Sequence, residues 1–349
     1  MRIAITGASG NVGTALLRRL HRARSEGHGE LELVGLSRRA PDPSQAPYAG
    51  VRWHEADVGQ PGGTELERAF AGADAVVHLA WQIQPNHDLA DLFRTNVTGT
   101  ANVLDAARNA GVGHVVCASS VGAYSPAGKR VRTNEAWPAE GIQNAHYSRH
   151  KAEQERLLDR FAGANPTVTV SRLRPGLIFQ ADAGAEIGRY FLGPYIPKAL
   201  ARLTFLPLVP IPPEIVFQAV HADDVADAYW RVLKSGAGGA FNIAAEPVIT
   251  PEILAGVLRA RRLFPLPLAV LRAGAAALWR PRLLAADSGW VNMAAGAPVM
   301  DTSRAREVLG WAPQRTSLDA IAEVLDALAA GSGIPASPVL RPRRRLLSG

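Results

Sequence analysis

Short apolar runs alternate with longer segments of helical period through the first half of the chain. Ile3-Ala4-Ile5, Leu31–Leu36, Val51–Glu55, Ala75–Leu79, Val115–Ala118 and Val168–Leu173 are brief and mostly apolar. That pattern fits strands buried on both faces rather than strands with one wet face. Between them lie helical patterns. Ala15, Leu16, Leu17 and Leu20 recur on one face after the first strand. A long pattern runs from Asp88 to Ala110 and stops at Gly111 and Gly113, and another spans Ala145–Phe161. Strands alternating with helices predict right-handed βαβ units, hence an α/β fold with a doubly wound parallel sheet.

The texture changes after Pro175. Gly193–Pro213 is apolar and proline-rich, and Pro251–Ala297 is rich in Ala, Leu and Arg. Between them Val216–Val220 reads as a strand, Asp223–Leu233 as a helix and Phe241–Ile243 as a strand. The expected organisation is a nucleotide-binding domain over 1–175, completed by about 214–245. Residues 176–213 and 246–330 then build a smaller, mostly helical lobe. The stretch 335–349 reads as a basic flexible tail. No internal repeat of fixed period appears.

Composition changes this picture little. In 349 residues, 47% hydrophobic and 20% charged is ordinary for a globular chain with a sizeable core. Cys117 is the one cysteine, which excludes an internal disulfide framework and a cysteine-rich zinc site. No metal site is expected. The net charge of +7 is partly local, with Arg341, Arg343, Arg344 and Arg345 near the end. The other basic residues are scattered without the aromatic interleaving of a nucleic-acid binder, so no nucleic-acid partner is expected. No run reaches the ~18 apolar residues of a membrane span. The closest, Leu263–Trp279, is broken by Pro265, Pro267 and Arg272. With Met1 and Arg2 leading directly into a strand, the expected location is the cytoplasm.

Three places could carry chemistry. The first strand runs into Thr6-Gly7-Ala8-Ser9-Gly10-Asn11-Val12-Gly13. Gly7 suits a tight turn, Gly10 lets backbone approach a pyrophosphate, and Gly13 lets the next helix pack close. The helix N-terminus behind it offers N–H groups and partial positive charge to phosphates. Tyr147 and Lys151 stand four apart in a helical pattern, so they share a face. An ammonium beside a phenol lowers its pKa toward working pH, as acid/base catalysis requires. Ser119-Ser120 follows the fifth strand, at the sheet edge where open α/β folds bind ligands.

These motifs, in order, resemble the short-chain dehydrogenase/reductase superfamily in its extended, epimerase/dehydratase-like branch. The match takes in Thr6–Gly13, Asp57-Val58, His78-Leu79-Ala80, Asn96–Thr100, Ser119-Ser120 with Tyr124, and Tyr147 with Lys151. It continues through Arg174-Pro175-Gly176, His221–Ala226 and Leu309–Pro313. The resemblance implies a Rossmann-type fold and a catalytic set of Ser120, Tyr147, Lys151 and Asn96. It implies a dinucleotide held by Thr6, Gly7, Ser9, Gly10, Asn11, Val12 and Gly13. Asp57 and Val58 would flank the adenine, Leu79 and Ala80 would pass near the ribose, and Pro175 would meet the carboxamide. A homodimer formed through the helices Asp88–Ala110 and Ala145–Phe161 is also implied.

Two departures refine the expectation. Many NAD-binding relatives end the second strand with an acidic residue for the ribose 2′-OH, whereas here stands Leu36-Ser37-Arg38-Arg39. Arginines and a hydroxyl suit a 2′-phosphate, so NADP(H) is preferred, with NAD the alternative. Sugar-nucleotide dehydratases carry an acidic pair just after the catalytic hydroxyl residue, but Val121-Gly122 occupies that place. The expected activity is interconversion of a carbonyl and a secondary alcohol on a small apolar substrate. The alternatives are a nucleotide-sugar epimerase with bound NAD and a non-catalytic dinucleotide sensor.

Overall fold

The computed structural model describes residues 1–60, 64–84, 86–192 and 208–342. Seven parallel strands form the central sheet: β1 (Arg2–Thr6), β2 (Glu32–Ser37), β3 (Arg52–Glu55), β4 (Ala75–His78), β5 (His114–Ala118), β6 (Thr169–Pro175) and β7 (Gly239–Ile243). Their order is β7-β6-β5-β4-β1-β2-β3. The chain winds outward from β1 through β2 and β3, then returns to β4 and winds the other way. The winding reverses between β1 and β4, which puts a crevice at their carboxyl ends. The residues there are Thr6 and His78, followed by the glycine turn and Leu79-Ala80.

Helices cover both faces because the central strands are apolar throughout. Helix α1 (Asn11–Ser25) lies on one face with α6 (Ala222–Ser235), where Leu16, Leu20, Tyr229 and Trp230 are buried. The other face carries α2 (Thr64–Phe70), α3 (Leu89–Phe93), α4 (Gly99–Asn109) and α5 (His146–Ala164), with Phe70, Val103, Leu158 and Phe161 in its core. Beyond the sheet lie α7 (Leu268–Trp279), α8 (Ser288–Gly296) and α9 (Ser317–Ala330). The His221–Ala226 motif caps α6: the His221 side chain accepts from Asp223 N, and Asp224 accepts from Gln314 N and Arg315 N. Buried Trp311 donates to the Asp224 carbonyl at 2.9 Å, which ties the two late motifs together.

Three expectations change. The helix Asp88–Ala110 is interrupted: a π-helical turn, Arg94–Thr98, separates α3 from α4. It turns Asn96 toward the chain after β4, where its side chain clamps Gln82. The strand expected at Val216–Val220 is in part observed, but not in the main sheet: Ala219–His221 pairs with Leu177–Phe179 in a separate two-stranded sheet, and Phe217 bridges to Ile249. Gly176 permits this pairing, because a Cβ there would meet the Gln218 carbonyl at 2.5 Å. The third change is in the tail. Residues 335–342 are packed, with Ser337 and Leu340 fully buried; Arg343, Arg344 and Arg345 lie outside the described residues. The second-lobe expectation is not changed, but most of Gly193–Pro213 lies outside the described residues, apart from a short strand, Val209–Ile211, that pairs with Leu263–Pro265.

Candidate active site

One cavity of about 360 Å3 runs along the carboxyl edge of the sheet. Every expected cofactor residue except Thr6 lines it, together with Ser120, Tyr147 and Lys151. Thr6 sits just beneath, and Asn96 lies behind the wall.

At one end stands the glycine turn. Gly7 has φ +70°, and a Cβ there would meet Ala80 N at 2.7 Å. A Cβ on Gly13 would run into the Gly7 carbonyl, so these two glycines serve the packing of β1, α1 and the chain after β4. Gly10 differs. A Cβ there would meet only the Gly7 carbonyl, at an ordinary 3.4 Å. Nothing in the protein requires glycine at this position, yet it faces the cavity beside the N-terminus of α1. The open space and unspent N–H groups fit a dinucleotide pyrophosphate.

Where β2 ends, Ser37 donates to the Arg39 carbonyl at 2.8 Å, and Arg38 reaches inward to Gln82 Oε1 at 3.3 Å. Asp57 is engaged by Arg94 at 3.1 Å and accepts from Gly59 N at 2.9 Å. Glu186 and Tyr190 also line the cavity. The Tyr190 hydroxyl donates to Glu186 at 2.9 Å, and burial pushes the Glu186 carboxyl up to about 7.

At the other end, Ser119 and Ser120 divide two tasks. The Ser119 hydroxyl donates to buried Glu155 at 2.5 Å. Glu155 also takes Arg172 at 2.7 Å and both arms of Arg174 at 2.9 Å. Burial opposes its charge, but the two arginines outweigh burial and hold its pKa at about 2. Ser120 is the serine that faces the cavity. Its Oγ accepts from Gly122 N at 3.0 Å and hydrogen-bonds the Tyr147 hydroxyl.

The expected effect of Lys151 on Tyr147 needs correcting. Burial raises the Tyr147 pKa, and the bond with Ser120 opposes that rise. The Lys151 ammonium has hydrogen-bond partners of its own. Its Nζ donates to the Ala118 carbonyl at 2.6 Å and to Gln154 Oε1 at 3.0 Å, and lies 3.4 Å from the centre of the Trp81 ring. Burial holds its own pKa down at about 7.

A buried hydrogen-bond chain joins the two ends. Thr6 Oγ1 meets His78 Nδ1 at 2.7 Å, and His78 Nε2 meets Thr100 Oγ1 at 3.0 Å. Gln154 donates to Thr100 at 3.2 Å and accepts from Lys151. Thr100 spends its own proton on the Asn96 carbonyl at 2.7 Å. His78 therefore donates through Nε2 and accepts at Nδ1, and burial keeps it neutral, with a pKa of about 3. The Asn96 side chain accepts from Gln82 N at 2.7 Å and donates to the Gln82 carbonyl at 2.8 Å. Both ends of that amide are used to fix backbone next to the cavity.

The comparisons with known proteins agree with this geometry. The model of the NAD dependent epimerase/dehydratase family matches residues 3–244. The chain belongs to the NAD dependent epimerase/dehydratase family. An uncharacterised protein of Mycobacterium tuberculosis is 28% identical over 90% of the chain; the chain spans only 28% of that relative's length. A 3-diazoavenalumate denitrifying reductase of Streptomyces is 28% identical, covering 91% of this chain and 97% of the reductase. Among solved structures, a UDP-glucose 4-epimerase of Thermus thermophilus in complex with NAD superposes with a TM-score of 0.65. It is 23% identical and covers 94% of this chain and 99% of its own, a likeness of fold.

Two tryptophans flank Tyr147. Trp81 lies edge-on to Tyr147 at 5.7 Å and Trp290 is tilted against it at 5.0 Å. Position 122 is crowded, since a Cβ on Gly122 would meet Met293 Sδ and Tyr147 Cε1 at 3.0 Å. Sequence reasoning missed Trp81, Gln154, Glu186, Tyr190, Trp290 and Met293. Trp81 carried a signal, as it directly follows His78-Leu79-Ala80. Trp290 and Met293 carried none, because only the fold brings α8 to α5.

Proposed function

We propose that the protein is an NADP(H)-dependent oxidoreductase that interconverts a carbonyl and a secondary alcohol on a small apolar substrate. The observation that carries this is the meeting of Ser120, Tyr147 and Lys151 in the same cavity as the glycine turn. The bound dinucleotide would supply or accept the hydride. Gly10 and the N-terminus of α1 would hold its pyrophosphate, and Arg38 with Arg39 would hold a 2′-phosphate. Ser120 donates a hydrogen bond to the substrate oxygen and stabilises charge developing there. Tyr147 gives that oxygen its proton in reduction and takes it in oxidation; burial favours the protonated phenol at neutral pH. Lys151 would hold ribose hydroxyls, its position set by Ala118 and Gln154. Trp81, Trp290 and Met293 form an apolar wall beside Tyr147 and keep water from the reacting carbonyl.

The test is a panel of apolar ketones and nucleotide sugars offered to purified protein with NADPH or NADH. NADPH oxidation by ketones is expected, with Tyr147→Phe about 100-fold slower or worse and cofactor affinity unchanged. Near-wild-type turnover by that variant would refute the mechanism. Arg38→Ala should weaken NADPH at least tenfold and leave NADH nearly unchanged; equal effects on both would remove the NADP preference. A second reading is favoured by the NAD-bound epimerase of the same fold. It is a nucleotide-sugar epimerase, which would copurify with oxidised NAD and turn over with none added. A cytoplasmic homodimer is part of the main reading, and the mass in solution tests the dimer.

A further inference from the structure

The tail returns to the glycine turn. Ser337, fully buried, donates from Oγ to the Ser9 carbonyl at 2.8 Å, across 328 positions of sequence. The same Oγ accepts from Val339 N at 3.2 Å and Leu340 N at 2.9 Å, so one hydroxyl shapes the tail's bend and fastens it to the turn. On one side Asp42 N donates to the Ala336 carbonyl at 3.0 Å. On the other, Arg189 donates to the Val339 carbonyl at 2.6 Å and the Arg341 carbonyl at 3.2 Å. The tail thus binds the loop after β2, the glycine turn and the second lobe. Pro338 and Val339 stand in the cavity wall with Ser9, Gly10 and Arg38.

From this we infer that residues 332–342 are part of the dinucleotide site: a clasp at its adenosine and pyrophosphate end that sets how tightly the cofactor is held. The inference rests on the dinucleotide reading above. The alternative role for such a segment is purely structural, as a plug for the apolar surface beneath Leu340. The two differ in their response to charge. If the Val339 side chain faces bound phosphates, a carboxylate there repels them and an ammonium does not. A plug responds to both charges alike.

The experiment measures NADPH and NADH dissociation constants by fluorescence titration, with thermal unfolding alongside. It uses wild type, Val339→Glu, Val339→Lys, Ser337→Ala and a chain ending at Gly331. Val339→Glu should bind at least tenfold more weakly than Val339→Lys at equal melting temperature. Ser337→Ala should bind several-fold more weakly than wild type, and the shortened chain at least tenfold more weakly. If Glu and Lys at position 339 give the same affinity, the clasp is refuted, and those variants decide the matter even where the shortened chain fails to fold. If wild type binds no dinucleotide, the reading of the site falls and the clasp with it. If wild type binds and the variants match it, only the clasp falls.

Discussion

Neighbouring side chains in this site have separate duties, and Ser119 and Ser120 show it most clearly. Ser119 satisfies a buried carboxylate, whereas Ser120 faces the cavity. Ser119→Ala should therefore cost about 1.5–3 kcal/mol of stability, the worth of a hydrogen bond to a charged group, and leave kcat nearly intact. Ser120→Ala should leave the melting temperature in place and slow turnover about 100-fold or more. Unfolding and steady-state assays on both variants check the assignment. From the sequence, the two serines were distinguished by distance to Tyr124 alone. The partner of Ser119 was not legible, because Glu155 and the arginines of β6 meet only when α5 packs on the sheet. Lys151 was legible as a member of the set but not in its state. Burial lowers its pKa, while the nearby Cys117 and Glu155 groups oppose that fall, and the burial comes from the packed fold rather than from local sequence.

At the scale of elements, the β1–turn–α1 unit could be read almost whole. Its chemistry is local: an apolar strand, glycines where backbone crowds backbone, and a helix start aimed at a ligand. The structure separates those glycines by task, which yields a prediction. Gly10→Ala should fold normally and bind dinucleotide at least tenfold more weakly. Gly13→Ala should lower the melting temperature, because its Cβ runs into the Gly7 carbonyl. Dinucleotide titration beside thermal unfolding distinguishes the two. Elements governed by distant partners were harder to read. The helix after β4 has an unbroken apolar period, but Asn96 bonds Gln82, and the π-helical turn accommodates that contact. Val216–Val220 was legible as extended, but its partner Leu177–Phe179, and so its place outside the main sheet, was not.

Across the whole molecule, the buried group Glu155, Arg172, Arg174 and Tyr124 joins α5, β6 and the loop after β5. Arg174 donates to the Tyr124 hydroxyl at 2.9 Å, and that hydroxyl donates to Asn242 on β7 at 2.6 Å. The network couples the catalytic edge to global stability, and it is sensitive to acid. Glu155 titrates at about 2 rather than its ordinary 4.5. Its contribution is therefore fully present above about 4.5 and is lost as pH falls through about 2. A shift of that size corresponds to about 3 kcal/mol. Glu155→Gln should lose roughly that much stability at pH 7, and the deficit relative to wild type should shrink toward zero near pH 2. Denaturant unfolding across pH checks it. No helix among the described residues is long and apolar enough to cross a membrane.

The joining of Ser9 to Ser337 has a consequence for how the protein is made. The glycine turn leaves the ribosome 328 positions before Ser337, the residue proposed to clasp it. Strand β7 also arrives late, although it borders β6 in the finished sheet. A nascent chain can form β1, α1 and β2 early but cannot close the adenosine end of its cleft until residue 340 has emerged. On the clasp proposal, tight cofactor retention is acquired only after residue 340 has been made. On the same proposal, a protease cut near residue 333 weakens cofactor retention while leaving the seven-stranded sheet, which ends at Ile243, in place.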